Sequence, residues 1–116
     1  MSVSPRGKRQ KGNQLEYLVR DKIIQSGLDP HARRSIMSGA AFEPADIKTS
    51  LPWAIECKNY GAMAIYKFWD QAVRQSTASK KPCLIIKANN QPVLTVITID
   101  DWLELVAWAR KGGLED

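Results

Sequence analysis

The sequence predicts an α/β domain in the order αβββαββα, with a central mixed five-stranded sheet flanked by helices. Three observations lead there. Apolar residues recur at helical spacing in three separate segments. Between those segments lie short runs whose side chains alternate or are continuously apolar, as strands require. Turn-forming residues mark the boundaries, and no internal repeat is visible.

Residues 1–11 are polar, basic and rich in Gly, Ser and Pro, so a flexible basic N-terminal arm is expected, followed by one domain over 12–116. From Asn13 the pattern turns helical. Leu15, Leu18, Val19 and Ile23 form one apolar stripe, and Gly27 closes the helix. Glu16 falls at the margin of that stripe, where a carboxylate can look along the core edge toward a sheet. Residues 31–37 are a weak strand candidate, and Ser38-Gly39-Ala40-Ala41 is a loop of small residues. Asp46-Ile47-Lys48 reads as a short strand, Ser50-Leu51-Pro52 as a tight turn, and Trp53 to Lys58 as the next strand. These make an antiparallel hairpin with Asp46 near one end.

Residues 64–79 carry a second stripe of Phe68, Trp69, Ala72, Val73 and Ser76, leaving Gln71, Arg74 and Gln75 outside it. Residues 83–88 are nearly all apolar, as expected of a strand covered on both faces. Asn89 to Pro92 is a turn, and Val93 to Ile99 a further strand. Asp100 is placed to cap a last helix containing Trp102, Leu103, Leu105, Val106 and Trp108. That helix is apolar around much of its circumference, so part of it is expected at a subunit interface.

With 116 residues the chain makes one domain with a modest core. No run of 18 apolar residues is present, so no membrane span is expected. The basic N-terminus has no apolar segment behind it and is not a secretory signal. Two isolated cysteines read as reduced core thiols of a cytoplasmic protein, and the lack of His or Cys clusters argues against structural zinc. The net charge of +5 favours polyanionic partners. Its basic residues are concentrated at Arg6, Lys8, Arg9 and Lys11 and at Arg33-Arg34, which are candidate phosphate contacts without sequence preference.

The chemistry concentrates on the hairpin. Strand alternation turns Trp53, Ile55 and Cys57 one way and Ala54, Glu56 and Lys58 the other. An acid and an amine on one face are too polar to bury unless something uses the charge. Asp46, Glu56 and the backbone carbonyl of Cys57 suit magnesium, which takes oxygen ligands and keeps several waters. Lys58, two residues beyond Glu56, can hold an attacking water and stabilise charge on a phosphorane-like transition state. Glu16 can approach the same ion, or a second one, through water. Glu-x-Lys alone is a common cross-face ion pair. The full order of helix Glu, strand-start Asp, Glu-x-Lys, helix and strand carries the signal.

Those residues resemble the PD-(D/E)XK nuclease superfamily and, within it, the archaeal-type Holliday junction resolvases also found in viruses and phages. The resemblance runs from about residue 8 to residue 99. It rests on Arg9 to Glu16, on Ser38-Gly39 with Pro44-Ala45-Asp46, on Ile55-Glu56-Cys57-Lys58, and on Lys81 to Lys87. In the superfamily's Pro-Asp pair the proline directly precedes the aspartate; here Ala45 stands between them. The resemblance implies a restriction-endonuclease-like core and a single nuclease domain over 12–116. It implies an active-site set of Glu16, Asp46, Glu56 and Lys58, with Ser38 aiding cleavage. It also implies a magnesium cofactor, with manganese able to substitute, and a homodimer that cuts opposed strands of four-way DNA junctions. Two alternatives stay open: another nuclease of the superfamily, of restriction or repair type, and a non-catalytic module that binds branched DNA.

Other residues read more plainly. His31, the lone histidine, is expected at the surface. Gln71 and Gln75 are assigned to a solvated helix face, although related nucleases can use a glutamine there near DNA or metal. Trp53, Trp69, Trp102 and Trp108 are expected in the core or an interface. Tyr60 and Tyr66 are lesser candidates for touching DNA.

Overall fold

A computed structural model describes residues 5–36, 45–60 and 64–112, with residues 5–11 described as backbone. The chain runs α1 (Pro5–Gln25), β1 (Arg33–Arg34), β2 (Ile47–Lys48), β3 (Trp53–Asn59), α2 (Ile65–Gln75), β4 (Lys81–Lys87), β5 (Leu94–Val96) and α3 (Ile99–Lys111). This is the expected αβββαββα order of a restriction-endonuclease-like core.

The five strands form one mixed sheet in the order β1-β2-β3-β4-β5. β1–β2, β2–β3 and β4–β5 are antiparallel, and β3–β4 is parallel. Strands that pair in parallel need a long crossover, and α2 supplies it. The expected hairpin is present, with Ile47 opposite Ile55.

Strand alternation divides the core in two. On one face Ile47, Ile55, Cys57, Cys83 and Ile85 pack with Leu15 and Val19 of α1. On the other, Leu84 and Ile86 pack with Ala72 of α2, flanked by Phe68, Trp69 and Val96. A strand buried on both sides cannot alternate in polarity, which explains the unbroken apolar run of β4. Glu56 lies opposite Leu84 and Lys58 opposite Ile86, so both project on the α2 side. Both cysteines are free and buried, as expected. Among the described residues no helix is long and apolar enough to cross a membrane.

Several boundaries differ from the pattern. Helix α1 begins at Pro5 rather than near Asn13. No apolar stripe marks residues 5–12, but proline suits the first helical turn and Arg, Lys and Gln are good helix formers. The helix does end near Gly27, which adopts φ 81°. Thr98, not Asp100, caps α3, its side chain accepting from Asp101 N. Asp100 and Asp101 instead lie in the first turn, where acids favour the helix dipole. Helix α3 buries none of its residues. Trp102 and Trp108 are exposed, whereas Trp53 and Trp69 pack against the core. Lys81 ties α3 to the sheet through Asp101 at 3.1 Å and Glu104 at 3.0 Å.

Candidate active site

Asp46 immediately precedes β2 and is held by its backbone and its side chain. Its N–H donates to Ile55 O at 2.8 Å, and its carbonyl accepts from Ser35 N at 2.9 Å. Its Oδ2 accepts from Cys57 N at 2.7 Å. Part of the carboxylate is thus engaged, and Oδ1 is the oxygen outside that bond. The residue before it, Ala45, has φ 64°, and its N–H donates to Gln75 Oε1 of α2 at 3.2 Å.

Glu56 and Lys58 stand two residues apart on β3, with Lys58 Nζ 3.6 Å from Glu56 Oε2. Lys58 Nζ also sits 5.5 Å from the centre of the Phe68 ring, within cation–π range. Phe68 in turn stacks on Tyr60, with ring centres 5.1 Å apart and planes 20° from parallel. The β3 amine therefore lies between its own acid and an aromatic pair bridging the strand end and α2.

Glu16 comes from the neighbouring helix. Its Oε1 accepts from Arg34 Nε at 2.8 Å. The same guanidinium donates to Tyr17 Oη at 3.1 Å and to Asn13 Oδ1 at 2.7 Å. Residues 13, 16 and 17 lie on one face of α1 because neighbours three and four apart do.

The electrostatics tie these groups together. Burial pushes the Asp46 carboxyl up to about 7, assisted by the negative charge of Glu56. The Cys57 N–H bond opposes that shift, Glu16 adds to it, and Lys58 opposes it. Burial also raises Glu56, while Lys58 lowers it and Glu16 raises it slightly. Burial, with the charges of Asp46, Glu16 and Glu56, drives the Cys57 thiol upward. Asp46 and Glu56 therefore lie within electrostatic reach of each other, and each within reach of Glu16 and Lys58.

The donor chemistry fits a hard divalent cation. Crowded, partly buried carboxylates that resist ionisation are relieved by a positive charge. Among the described residues no three acidic, His or Cys side chains stand together as a metal-ligating group. Two carboxylates and the Cys57 carbonyl remain the candidate ligand set, with Glu16 drawn to Arg34. The buried Oε1 of Gln71 on α2 has no hydrogen-bond partner among the described residues.

Of the other expected residues, Ser38 and the side chains of Arg6, Lys8, Arg9 and Lys11 lie outside the described residues. Arg33 is exposed, and His31 is at the surface as expected. Tyr66 is 85% exposed, whereas Tyr60 is committed to Phe68. Gln71 and Gln75 are partly buried rather than solvated. The helical wheel held the signal for Gln75, which lies only about 60° from Ala72 at 100° per residue. Nothing local indicated its partner at Ala45. A cavity of about 500 Å³ lies on the α1 side, lined by Trp53, Ile55, Cys83 and Ile85. It is apolar and on the sheet face opposite Glu56 and Lys58, so it is separate from the acid cluster.

No curated protein and no solved structure matches the chain significantly. The family model described as "Phage putative PDDEXK endonuclease" matches residues 7–112, spanning Glu16, Asp46, Glu56 and Lys58. The chain belongs to this phage PDDEXK endonuclease family and is a nuclease of the PD-(D/E)XK type.

Proposed function

We propose that this nuclease is a magnesium-dependent, structure-selective DNA endonuclease, a Holliday junction resolvase that cuts opposed strands of four-way junctions. The supporting observation is the meeting of Asp46, Glu56 and Lys58 on one side of the sheet with Glu16 from α1 within electrostatic reach. Asp46, Glu56 and the Cys57 carbonyl would hold the cation, with manganese able to substitute. When bound, the cation neutralises charge on the scissile phosphate and favours ionisation of a water.

Lys58 orients that water and stabilises the charge that grows on the phosphate oxygens. Glu16 contributes at the rim of the site through water, and Ser38 is assigned to assist cleavage. Arg6, Lys8, Arg9 and Lys11, with Arg33, supply phosphate contacts that give affinity and salt dependence, whereas Arg34, expected among them, is engaged by Glu16, Tyr17 and Asn13. Residues 12–116 act as one nuclease domain, and the basic segment before them, helical from Pro5 rather than a flexible arm, lies along the DNA backbone.

Junction selectivity comes from a twofold dimer. Two sites at a fixed separation accept two strands at once only on branched DNA. The exposed Ile99, Trp102, Leu103 and Val106 of α3 support a self-association surface.

The test is cleavage of a synthetic four-way junction, a flap and a linear duplex with and without magnesium, read on every strand. Symmetric nicks on two opposing strands of the junction support a resolvase. Cutting of all three substrates at one rate favours a restriction- or repair-type nuclease. Junction binding without hydrolysis at any magnesium or manganese concentration favours a non-catalytic module.

A further inference from the structure

We infer that Gln75 is a positioning residue for Asp46, acting through the left-handed backbone of Ala45. The inference rests on the reading of Asp46 as a cation-binding carboxylate and adds the device that aims it.

The starting observation is conformational. Ala45 has φ 64°, one of two non-glycine residues with positive φ among those described. A Cβ crowds the carbonyl oxygen in this region, so an alanine stays there only when its surroundings hold it. Ala45 is also the residue that separates Pro44 from Asp46. The strained backbone therefore lies directly before the acid.

What holds it can be named. Ala45 N–H points to α2 and meets Gln75 Oε1 at 3.2 Å. The very next N–H, that of Asp46, points to β3 and meets Ile55 O at 2.8 Å. A left-handed residue turns the chain sharply enough for consecutive amides to serve different elements. Gln75 is the last residue of α2, and Ala72, three residues earlier, is fully buried against Leu84 and Ile86. Its amide is therefore presented from an anchored helix end. Downstream, Asp46 is fixed by Ser35 N on its carbonyl and Cys57 N on Oδ2. A path of contacts thus runs from the α2 core through Gln75 and Ala45 to the carboxylate.

The reach of the side chain matters. Asparagine is one methylene shorter and cannot span the same gap from an anchored helix. Glycine at position 45 changes the demand itself, because it adopts positive φ without the Cβ penalty. With glycine there, the remaining bonds to Asp46 suffice without Gln75.

The experiment uses the full chain in four forms: wild type, Gln75→Ala, Ala45→Gly and the double variant. The first readout is the Cys57 amide, followed by its NMR shift and hydrogen exchange without metal. The second is binding of magnesium alone, by calorimetry. In Gln75→Ala the Cys57 amide shifts and exchanges faster, and magnesium binds about tenfold more weakly, as expected when a ligand loses its supporting contact. Ala45→Gly alone changes little. In the double variant both readouts return toward wild type.

An unchanged Cys57 amide in Gln75→Ala overturns the inference. So does failure of glycine to restore it, because a general loss of α2 packing would not be cured at position 45. The amide readout needs neither metal nor DNA. If wild type fails to cut branched DNA while the amide pattern holds, the resolvase reading falls and the role of Gln75 stands.

Discussion

Arg34 grips Glu16, its Nε donating to Oε1 at 2.8 Å while its other nitrogens reach Tyr17 and Asn13. The guanidinium also lies 4.6 Å from the centre of the Tyr17 ring. One planar cation thus docks β1 on α1 and orients an acid within electrostatic reach of Asp46 and Glu56. Lysine cannot reproduce that fork, because its ammonium is a single point with no fixed plane. Arg34→Ala is expected to destabilise the fold by about 1–2 kcal/mol in urea titrations, since both side chains are less than a third exposed. It should also slow cleavage by roughly tenfold. Arg34→Lys should recover less than half of either loss on a logarithmic scale. Full recovery by lysine would reduce the role to charge.

Glu56→Gln tests the division between binding and chemistry. The substitution keeps size and removes the charge that would hold a cation. Cutting is expected to fall at least about a hundredfold. Affinity for the same junction in a gel-shift assay with calcium should stay within about threefold, because phosphate contacts lie elsewhere. Parallel loss of both would refute the ligand assignment.

Asp46 makes stability pH-dependent in a direction opposite to the usual carboxylate. Its folded-state value of about 7 lies above the ordinary 3.8. Between those values the folded protein holds a proton that the unfolded chain has released. Stability without metal should therefore decline as pH rises from about 4 to about 7, then level. Asp46→Asn should flatten that decline and be more stable than wild type at pH 8 in EDTA. Urea midpoints measured across pH 4–8 decide the matter; a steeper decline in the variant would contradict the burial argument.

Asp29 behaves in the conventional sense. Its Oδ1 accepts from His31 N at 2.9 Å, and Oδ2 accepts from Thr49 Oγ1 and Ser50 N at 2.8 Å each. Those bonds, led by Ser50 N–H, lower its value to about 2. The carboxylate fastens the connection after α1 to the β2–β3 turn, which Lys80 Nζ grips from the other side at Thr49 O and Leu51 O. Its contribution is present above about pH 4 and disappears as pH falls toward 2. Asp29→Asn should lower the neutral-pH Tm and remove that part of the acid transition. Thermal melts at pH 7 and pH 2.5 that leave the gap between variant and wild type unchanged would count against this.

Phe68 links stability and chemistry at Lys58. Replacing the ring by leucine keeps much of the apolar contact and removes the cation–π partner. Phe68→Leu should cut roughly fivefold more slowly, while Phe68→Tyr stays near wild type. If leucine changes only Tm, the ring serves packing alone.

The acids on the hairpin could be anticipated because strand alternation is local. Knowing that Trp53 and Ile55 are buried puts Glu56 and Lys58 on the other face without any tertiary information. Gln71 and Gln75, expected on a solvated face, are partly buried because Val73 and Ser76 do not define the buried arc of α2. In the fold Val73 is 44% exposed, and the buried arc is centred on Ala72. Asp100 was a plausible cap, but Thr98 takes that role because β5 ends earlier than its β-branched sequence suggests. Arg34, expected as a phosphate contact, pairs with Glu16 instead, because a basic pair carries no local sign of a partner 18 residues away.

Periodicity alone determined the order of elements, the two apolar faces and the side on which the acid and amine emerge, because each depends only on neighbours along the chain. Tertiary structure decided which groups hold the acids in place. The Arg34–Glu16 and Gln75–Ala45 contacts join segments far apart in sequence, and their geometry is set by how α1 and α2 settle on opposite faces of the sheet.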